Sequence, residues 1–270
     1  VFGKLFAELI EPVILTFYRF LLVATLLGLY LIVTKRLSRD LLFKPWRYLI
    51  LGGIYSIYFV FMFIALRYTS TISTSAIFAL MPFATLILDS MIFNKKSHSL
   101  IWLALCISSV GALYIVFDGS LINALNFKLD FGELIFLIGT IVYSSYALVQ
   151  PRLNFGENLL ITTFGVLTAG TLILAMSIII QGLDFTPTNI SIGLVFLIIY
   201  LAIFASIGTI LCLNFASSRI PGTNVMAYSL LIPFWVLMFE TFTKDSFAPG
   251  YTYVGIIPIG FGLLLLYRNS

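Results

Sequence analysis

The sequence reads PFATLILD at residues 82–89 and PFWVLMFE at residues 233–240. In each stretch an acidic residue, Asp89 or Glu240, lies seven positions after the proline inside an apolar run. The differences 233 − 82 and 240 − 89 both equal 151, and a glycine recurs at the same offset, at Gly111 and Gly262. The chain therefore reads as two related halves. Duplicated hydrophobic halves are typical of secondary transporters, whose substrate sites lie between the copies.

Composition indicates an integral membrane protein. Of the 270 residues, 61% are hydrophobic and 10% are charged, whereas a soluble domain carries about 25% charged residues. So few charges cannot cover a water-facing surface, and most of the exterior must face lipid. The formal net charge of +4 is too small and too dispersed for a nucleic-acid partner.

Apolar runs long enough to cross a bilayer, about 20 residues each, predict ten helices. The predicted spans are residues 1–7 (the tail of a first helix truncated at its N-terminus), 12–33, 46–66, 71–93, 100–117, 131–149, 159–180, 191–213, 220–242 and 251–267. A polar connector at 118–130 separates a first five-helix repeat, 1–117, from a second, 131–270. Two joined copies of an odd number of spans enter the membrane from opposite sides. The predicted fold is thus all-α, with two inverted five-helix repeats.

Loop charges predict the orientation. With a cytoplasmic N-terminus, the inner loops hold ten cations and the outer loops three: the inner ones are Lys35, Arg36, Arg39, Lys44, Arg47, Lys95, Lys96, Arg152, Arg219 and Arg268, and the outer ones Arg67, Lys128 and Lys244. Lysine and arginine are enriched in cytoplasmic loops. Both termini are therefore predicted to be cytoplasmic.

Four segments resemble those of one transporter family. PVILTFYRF at 12–20 resembles the second-helix signature of the drug/metabolite transporter superfamily (EamA-type permeases), and ALRYTS at 65–70 resembles the segment that ends its third helix. ALMPF at 79–83 and LLIPF at 230–234 resemble the fourth-helix motif and its ninth-helix copy. The resemblance covers essentially the whole chain.

The resemblance implies ten helices in two inverted halves, alternating access, and a central cavity open to one side at a time. One family feature is missing. Members usually carry a Gly-Glu pair at the ends of the fourth and ninth helices, where this sequence reads NKK at 94–96 and KDS at 244–246. A role of that glutamate is therefore not carried over to this chain.

The sequence contains no catalytic pattern. His98 is the single histidine and lies in a basic loop, so neither a histidine triad nor a multi-histidine metal site is available. Walker, HExxH and GxSxG motifs are also missing. We therefore predict no enzyme activity, no metal and no cofactor. Transport driven by a gradient, or facilitated transport, fits this profile.

Ionisable residues and prolines inside the spans are candidates for gating and coupling. A charge at membrane depth costs at least about 2.5–3.5 kcal/mol, and Asp89 and Glu240 lie at mirrored depths on opposite sides of the midplane under inverted symmetry. Our hypothesis is that each lies near one gate and that protons are a candidate coupling ion. The alternative is that both are hydrated near the interfaces. Pro82 and Pro233, at equivalent mid-span positions, are the predicted bending points.

A substrate cavity is predicted from polar and aromatic residues at depth. The candidates are Arg19, Tyr55, Tyr58, Thr74, Tyr143, Tyr146, Tyr228 and Trp235. Arg19, seven residues into its predicted span, would bind a substrate carboxylate or pair with an acid across the cavity. A structural ion pair, or snorkelling to the outer interface, explains it as well. Core packing explains any single tyrosine equally well.

These features predict an exporter of small metabolites, such as amino acids or amphipathic compounds, in a bacterial inner membrane. Its expected partners are a small-molecule substrate and membrane lipid. A nucleotide-sugar or phosphometabolite carrier of the same superfamily is one alternative, although it would need several cavity cations for the phosphates. A non-transporting membrane anchor or interaction protein is another. The sequence does not determine the substrate, the coupling ion, the direction of transport or the oligomeric state.

Overall fold

The structure, a computed structural model, describes residues 10–37, 44–94, 98–185, 192–244 and 250–268. Within these ranges the chain forms helices and turns and contains no β-strand. The predicted first helix at 1–7 lies outside the described residues, as do the loop cations Arg39, Lys95 and Lys96. The all-helical prediction is therefore confirmed for the part of the chain that can be described.

Thirteen α-helices are found in the described ranges. They are α1 (Pro12–Val33), α2 (Trp46–Tyr68), α3 (Thr71–Phe78), α4 (Met81–Phe93), α5 (Ser99–Val116), α6 (Leu121–Leu125), α7 (Phe131–Leu153), α8 (Leu159–Ile180), α9 (Ile192–Tyr200), α10 (Thr209–Ser217), α11 (Gly222–Ala227), α12 (Ile232–Lys244) and α13 (Ile256–Arg268). A π-helical segment, Leu201–Gly208, joins α9 to α10. Short 3₁₀ segments, Tyr228–Leu231 and Gly250–Gly255, precede α12 and α13.

Nine helical stretches of the described chain are long and apolar enough to cross a membrane. Each overlaps one of the predicted spans from 12–33 onward, and the predicted connector at 118–130 contains the short helix α6. The tenth span would be the one at 1–7, so the count of ten remains a prediction. The protein is an integral membrane protein.

Two of these stretches are interrupted just before the paired prolines. The helix through residues 73–93 breaks between the end of α3 at Phe78 and the start of α4 at Met81, with Pro82 in the first turn of α4. The second runs from α11 through a 3₁₀ segment into α12, whose second residue is Pro233. Proline removes one backbone donor and clashes with the preceding turn. The same residue type therefore interrupts the helix at both predicted places.

The described residues divide into two compact units. The first unit contains those of Tyr68–Leu148 and Ile220–Ser270, and the second contains those of Phe2–Arg67 and Val149–Arg219. Each unit therefore combines segments from both halves of the sequence. The repeat boundaries predicted from the sequence, 1–117 and 131–270, describe related segments of sequence and not compact units. They stay a prediction.

Helices α5 and α13 pack backbone to backbone in the first unit. A Cβ at Gly255 would lie 2.6 Å from the carbonyl oxygen of Gly111, and a Cβ at Gly262 would overlap the carbonyl oxygen of Ala104. Small residues let membrane helices approach closely, so that dispersion contacts replace the missing hydrophobic driving force. Around this contact lies a buried cluster rich in alanine and leucine: Ala79, Leu86, Ala104, Leu105, Ala112, Ile115, Ala227, Leu230, Ile259 and Leu266.

The interrupted helices of the first unit pack against each other in opposite directions. Helix α3 contacts α12, and α4 contacts α11, so the start of each stretch lies beside the end of the other. Two hydrogen bonds join residues that are 151 positions apart: the Ser229 hydroxyl donates to the Phe78 carbonyl, and the Ser108 hydroxyl donates to the Ile259 carbonyl. Residues separated by the 151-position offset therefore meet inside this unit.

Helix α1 packs along α8 in the second unit. A Cβ at Gly28 would lie 3.0 Å from the ring of Phe164, and a Cβ at Gly170 would lie 3.0 Å from the ring of Phe20. These contacts bring the end of α1 to the start of α8, so the two helices are antiparallel. They fix the position of Arg19, which lies on α1 next to Phe20.

Candidate functional site

Arg19 is fully buried in the second unit. Its Nε donates a hydrogen bond to the Ser206 hydroxyl at 2.7 Å, across 187 positions of sequence. Its guanidinium carbon lies 3.8 Å from the ring centroid of Phe59 and 5.8 Å from that of Phe63. A cation over an aromatic face is stabilised by the ring quadrupole, and more strongly away from water. The snorkelling alternative is therefore wrong in this structure, because the guanidinium lies in a protein interior.

Phe59 connects Arg19 to two of the predicted cavity tyrosines. The rings of Tyr55 and Tyr58 each lie 4.8 Å from the Phe59 ring centroid in edge-to-face geometry, and both side chains are buried. Tyr55 also stacks on Phe20 at 5.4 Å. The second unit thus gathers Arg19, Tyr55 and Tyr58 around one ring. We name this group, with Ser206, the arginine cluster.

Ser206 reaches Arg19 from the π-helical segment Leu201–Gly208. Its hydroxyl also donates to the Leu201 carbonyl at 3.1 Å, five residues earlier, which is the spacing of a π turn. The Ser206 hydroxyl therefore donates a hydrogen bond within its own helix and accepts one from the guanidinium of Arg19. Single π turns inside α-helices occur frequently at functional sites.

Ser206→Ala is expected to lower the free energy of unfolding by about 1.5–3 kcal/mol, because it removes a hydrogen bond to a buried charge. Thermal unfolding in mild detergent measures the change. Ser206→Thr, which keeps a hydroxyl, should recover part of the loss. Ser218→Ala is the matched control, since that exposed hydroxyl bonds the Phe215 carbonyl of its own helix at 2.9 Å. Equal melting temperatures for the two alanine variants would contradict the role assigned to Ser206.

The remaining predicted cavity residues lie in the first unit. Tyr143 and Tyr146 are buried on α7 and their rings stack at 6.5 Å. Thr74 is buried on α3, where its hydroxyl donates to the Thr71 carbonyl at 2.8 Å. Tyr228 and Trp235, on either side of Pro233, are more than half exposed to the surroundings of the chain. These five residues and the arginine cluster therefore belong to different units.

Serine hydroxyls surround the interruption before Pro82. Because proline has no N–H, the carbonyl four residues earlier, that of Phe78, loses its helical donor, and Ser229 donates to it at 3.3 Å. Ser109 donates to the Ala79 carbonyl at 3.4 Å. The Ser144 hydroxyl donates mainly to the Thr140 carbonyl at 2.8 Å and lies 3.3 Å from the Met81 carbonyl. Neighbouring hydroxyls are a known means of satisfying backbone freed by proline in membrane helices. These three side-chain contacts at the interruption are 3.3–3.4 Å long and are therefore weak.

The candidate coupling acids differ in what can be described. Asp89 lies on α4 and its side chain is 5% exposed, so it is not the hydrated interfacial group that one alternative supposed. Its own carbonyl accepts the N–H of Asn94, which ends the helix in a left-handed conformation. The side chain of Glu240 lies outside what the structure describes, although its backbone belongs to α12.

Sequence reasoning missed a buried ion pair between Arg47 and Glu157. Both side chains are almost fully inaccessible, and the guanidinium forms a salt bridge to the glutamate carboxylate. Arg47 also donates to the Leu153 carbonyl at 3.2 Å and to the Tyr48 hydroxyl at 3.1 Å. From the sequence, Arg47 was interpreted as a loop cation that marks the cytoplasmic side. Only the presence of an acid in a facing loop could have indicated the pairing.

A second missed group is the carboxylate of Glu133 in the first turn of α7. Its side chain is buried and accepts a hydrogen bond from the Thr69 hydroxyl. Gly132 lies against Tyr68 and Thr69, since a Cβ there would be 2.9 Å from the Cβ of Tyr68. The hydrogen bond and the glycine contact together hold the start of α7 against the turn between α2 and α3.

Comparison with known proteins agrees with this architecture. The family model described as "EamA-like transporter family" matches residues 1–117 and 130–268. The chain belongs to the EamA-like transporter family. The resemblance read from the four sequence motifs is thereby confirmed, and so is the prediction that the protein is a transporter and not an enzyme.

Two curated relatives of this EamA-like transporter are themselves named as transporters. One, "Uncharacterized transporter YyaM" of Bacillus subtilis (strain 168), is 25% identical over 250 residues, which cover 92% of this chain and 81% of the relative. The other, an "Uncharacterized transporter" of Archaeoglobus fulgidus, is 24% identical over 264 residues, which cover 94% of this chain and 87% of the relative.

A solved crystal structure shares the fold of this EamA-like transporter. The two superimpose with a TM-score of 0.73 at 14% sequence identity, and the match covers 98% of this chain and 90% of the other. At that identity the likeness concerns the fold alone.

Proposed function

We propose that this membrane transporter is a secondary exporter of small metabolites, such as amino acids or amphipathic compounds, in a bacterial inner membrane, and that it works by alternating access. The observation that carries the proposal is the pair of helix interruptions before Pro82 and Pro233, at equivalent positions of the two halves. Discontinuous membrane helices are where transporters of inverted-repeat construction bind substrate and bend.

The proposal includes the inverted arrangement of two five-helix halves. Two observations support this inverted arrangement. The two interrupted stretches run in opposite directions, and two hydrogen bonds join residues that are 151 positions apart. The excess of lysine and arginine in alternate loops supports cytoplasmic termini. In this scheme Pro82 and Pro233 are the bending points, and the weak serine bonds around Phe78 and Met81 exchange during the transition.

The proposed cavity residues divide by chemistry. Arg19 supplies the positive charge, which suits an anionic group such as a carboxylate. Tyr55, Tyr143 and Tyr228 supply hydroxyl groups beside aromatic faces, which suit an amphipathic molecule. Among the described residues of the arginine cluster, Arg19 is the single cation, and it is buried within α1. This favours a small monoanionic or neutral substrate over a nucleotide sugar.

Transport in proteoliposomes tests the proposal. Purified protein is reconstituted and assayed against a panel that contains neutral and aromatic amino acids, organic cations, a nucleotide sugar and a sugar phosphate. We expect saturable flux of one or more amino acids or amphipathic compounds. Flux of the nucleotide sugar alone would favour the phosphometabolite carrier. No flux of any class by a folded protein would favour the anchor.

Asp89→Asn is expected to abolish stimulation of flux by a pH gradient, since a carboxylate buried in the membrane is the group able to carry the proton. Downhill exchange of substrate should persist at half the normal rate or more, because the amide keeps the shape of the side chain. Glu240→Gln is tested alongside as the equivalent residue of the second half. Asp118→Asn is the control, because that acid is exposed in a turn. Unchanged stimulation in both the Asp89→Asn and the Glu240→Gln variants would end the proton-coupling proposal.

A further inference from the structure

A cleft lies between α11 and α13 in the first unit. Its volume is about 370 Å³, and its lining residues are Ile220, Asn224, Tyr228, Leu263, Leu266 and Tyr267. Small-molecule sites have volumes of about 300–1,000 Å³ and combine apolar walls with a few convergent polar groups. The cleft therefore has the size of a site for one small metabolite.

The lining has a distinct chemical character. Three aliphatic side chains form the walls, while two tyrosines and one asparagine amide supply the polar groups. None of the residues that line the cleft carries a formal charge at neutral pH. A charged group placed there would meet no counter-charge in the lining, and an unpaired charge is costly in an apolar environment. The part of a ligand that enters this cleft must be uncharged and amphipathic.

The cleft adjoins the interrupted helix of the second half. Tyr228 is the first residue of the 3₁₀ segment that precedes Pro233, and its neighbour Ser229 bonds the Phe78 carbonyl at the interruption before Pro82. A short 3₁₀ stretch within a longer helix often marks a functional hinge. A molecule that contacts Tyr228 therefore contacts the segment that links the two interruptions.

From this juxtaposition we infer that the cleft between α11 and α13 is a binding site for the uncharged amphipathic portion of the transported molecule, with an amide or hydroxyl group at Tyr228 and Asn224 and an apolar body against Leu263 and Leu266. The inference rests on the proposed export function, whose substrate class it narrows. Membrane lipid is the competing occupant, and the experiment separates the two.

Binding of N-acetyl-tryptophanamide, a neutral aromatic amide, tests the site. The full chain is placed in lipid nanodiscs and binding of the tritiated probe is measured by scintillation proximity. Leu263→Trp fills the cleft and should weaken binding at least about tenfold, because the bulk excludes the probe. Leu264→Trp is the matched control: the next residue of the same helix is 63% exposed and should leave affinity within about twofold. Tyr228→Phe removes one hydroxyl and should weaken binding about three- to tenfold.

Four results would overturn the inference: non-saturable binding, equal affinity for Leu263→Trp and the wild type, equal losses in the two tryptophan variants, or competition by added phospholipid at constant protein. The last result would assign the cleft to lipid. Flux assays on the same variants separate this inference from the proposed function. Saturable, Leu263-dependent binding without flux of any compound refutes export but not the site. Normal flux in Leu263→Trp refutes the site but not export.

Discussion

Replacing Arg47 with methionine is expected to lower the free energy of unfolding by about 3–5 kcal/mol, because it leaves the buried carboxylate of Glu157 without its cation. The two side chains are inaccessible to solvent and form a direct salt bridge. Glu157 also accepts the Phe155 N–H at 3.0 Å with its second oxygen. The Arg47–Glu157 ion pair therefore holds the start of α2 against the loop between α7 and α8.

The double variant Arg47→Met/Glu157→Gln should recover more than half of that loss. Removing both charges takes away the attraction together with the cost of dehydrating them, and the glutamine can still accept from Phe155. Thermal or SDS-induced unfolding of the single and double variants measures the coupling energy. Additive losses would contradict a direct interaction.

Glu11→Gln is the control for this cycle. Glu11 lies 3.6 Å from Arg67 with about half of its side chain exposed, and exposed ion pairs contribute about 0–1 kcal/mol. We expect its melting temperature to differ little from that of the wild type. A loss as large as that of Arg47→Met would mean that any acid-to-amide change destabilises this protein.

Gly262→Ala is expected to destabilise the first unit by about 1–3 kcal/mol, the usual cost of overpacking a close contact. The added methyl group would overlap the hydroxyl of Ser108 and the carbonyl oxygen of Ala104 on α5. A flexible side chain could rotate away, but the backbone carbonyl can move only if the two helices separate. Separation would also weaken the hydrogen bond from Ser108 to the Ile259 carbonyl.

Gly260→Ala, two residues earlier on the same helix, is the matched control. A Cβ at that position meets no atom within 4 Å, and alanine is favoured over glycine inside a helix by about 0.5–1 kcal/mol. We expect unchanged or slightly raised stability. Equal destabilisation by the two changes would show that the loss does not come from the α5–α13 contact at Gly262. The fraction of monodisperse protein in size-exclusion chromatography gives a second readout.

Most of the secondary structure could be predicted from the sequence because bilayer-length apolar runs are a local signal. The spans at 12–33 and 159–180 agree with α1 and α8 to the residue. The interruptions before Pro82 and Pro233 were predictable as well, since proline acts on its own preceding turn. The π-helical turn at 201–208 was not, because nothing in an apolar run indicates a five-residue hydrogen-bond spacing.

The candidate site could be predicted only in part. Arg19, Tyr55 and Tyr58 were identifiable as candidates from their depth within predicted spans, and the structure brings all three around Phe59. Their partner Ser206 could not be identified, because small residues occur throughout the spans and most serve packing. The partition of the predicted residues between two compact units also has no local sequence signal.

The sequence by itself determined that this chain is a helical membrane transporter of the EamA-like family, because span length and motif order are properties of the linear chain. The tertiary structure decided which polar groups meet. Arg19 and Ser206 are 187 positions apart, and Arg47 in the first turn of α2 meets Glu157 in the loop between α7 and α8. Polar side chains in an apolar interior must find partners, yet which partner each finds depends on helix packing, which apolar runs of similar composition leave undetermined.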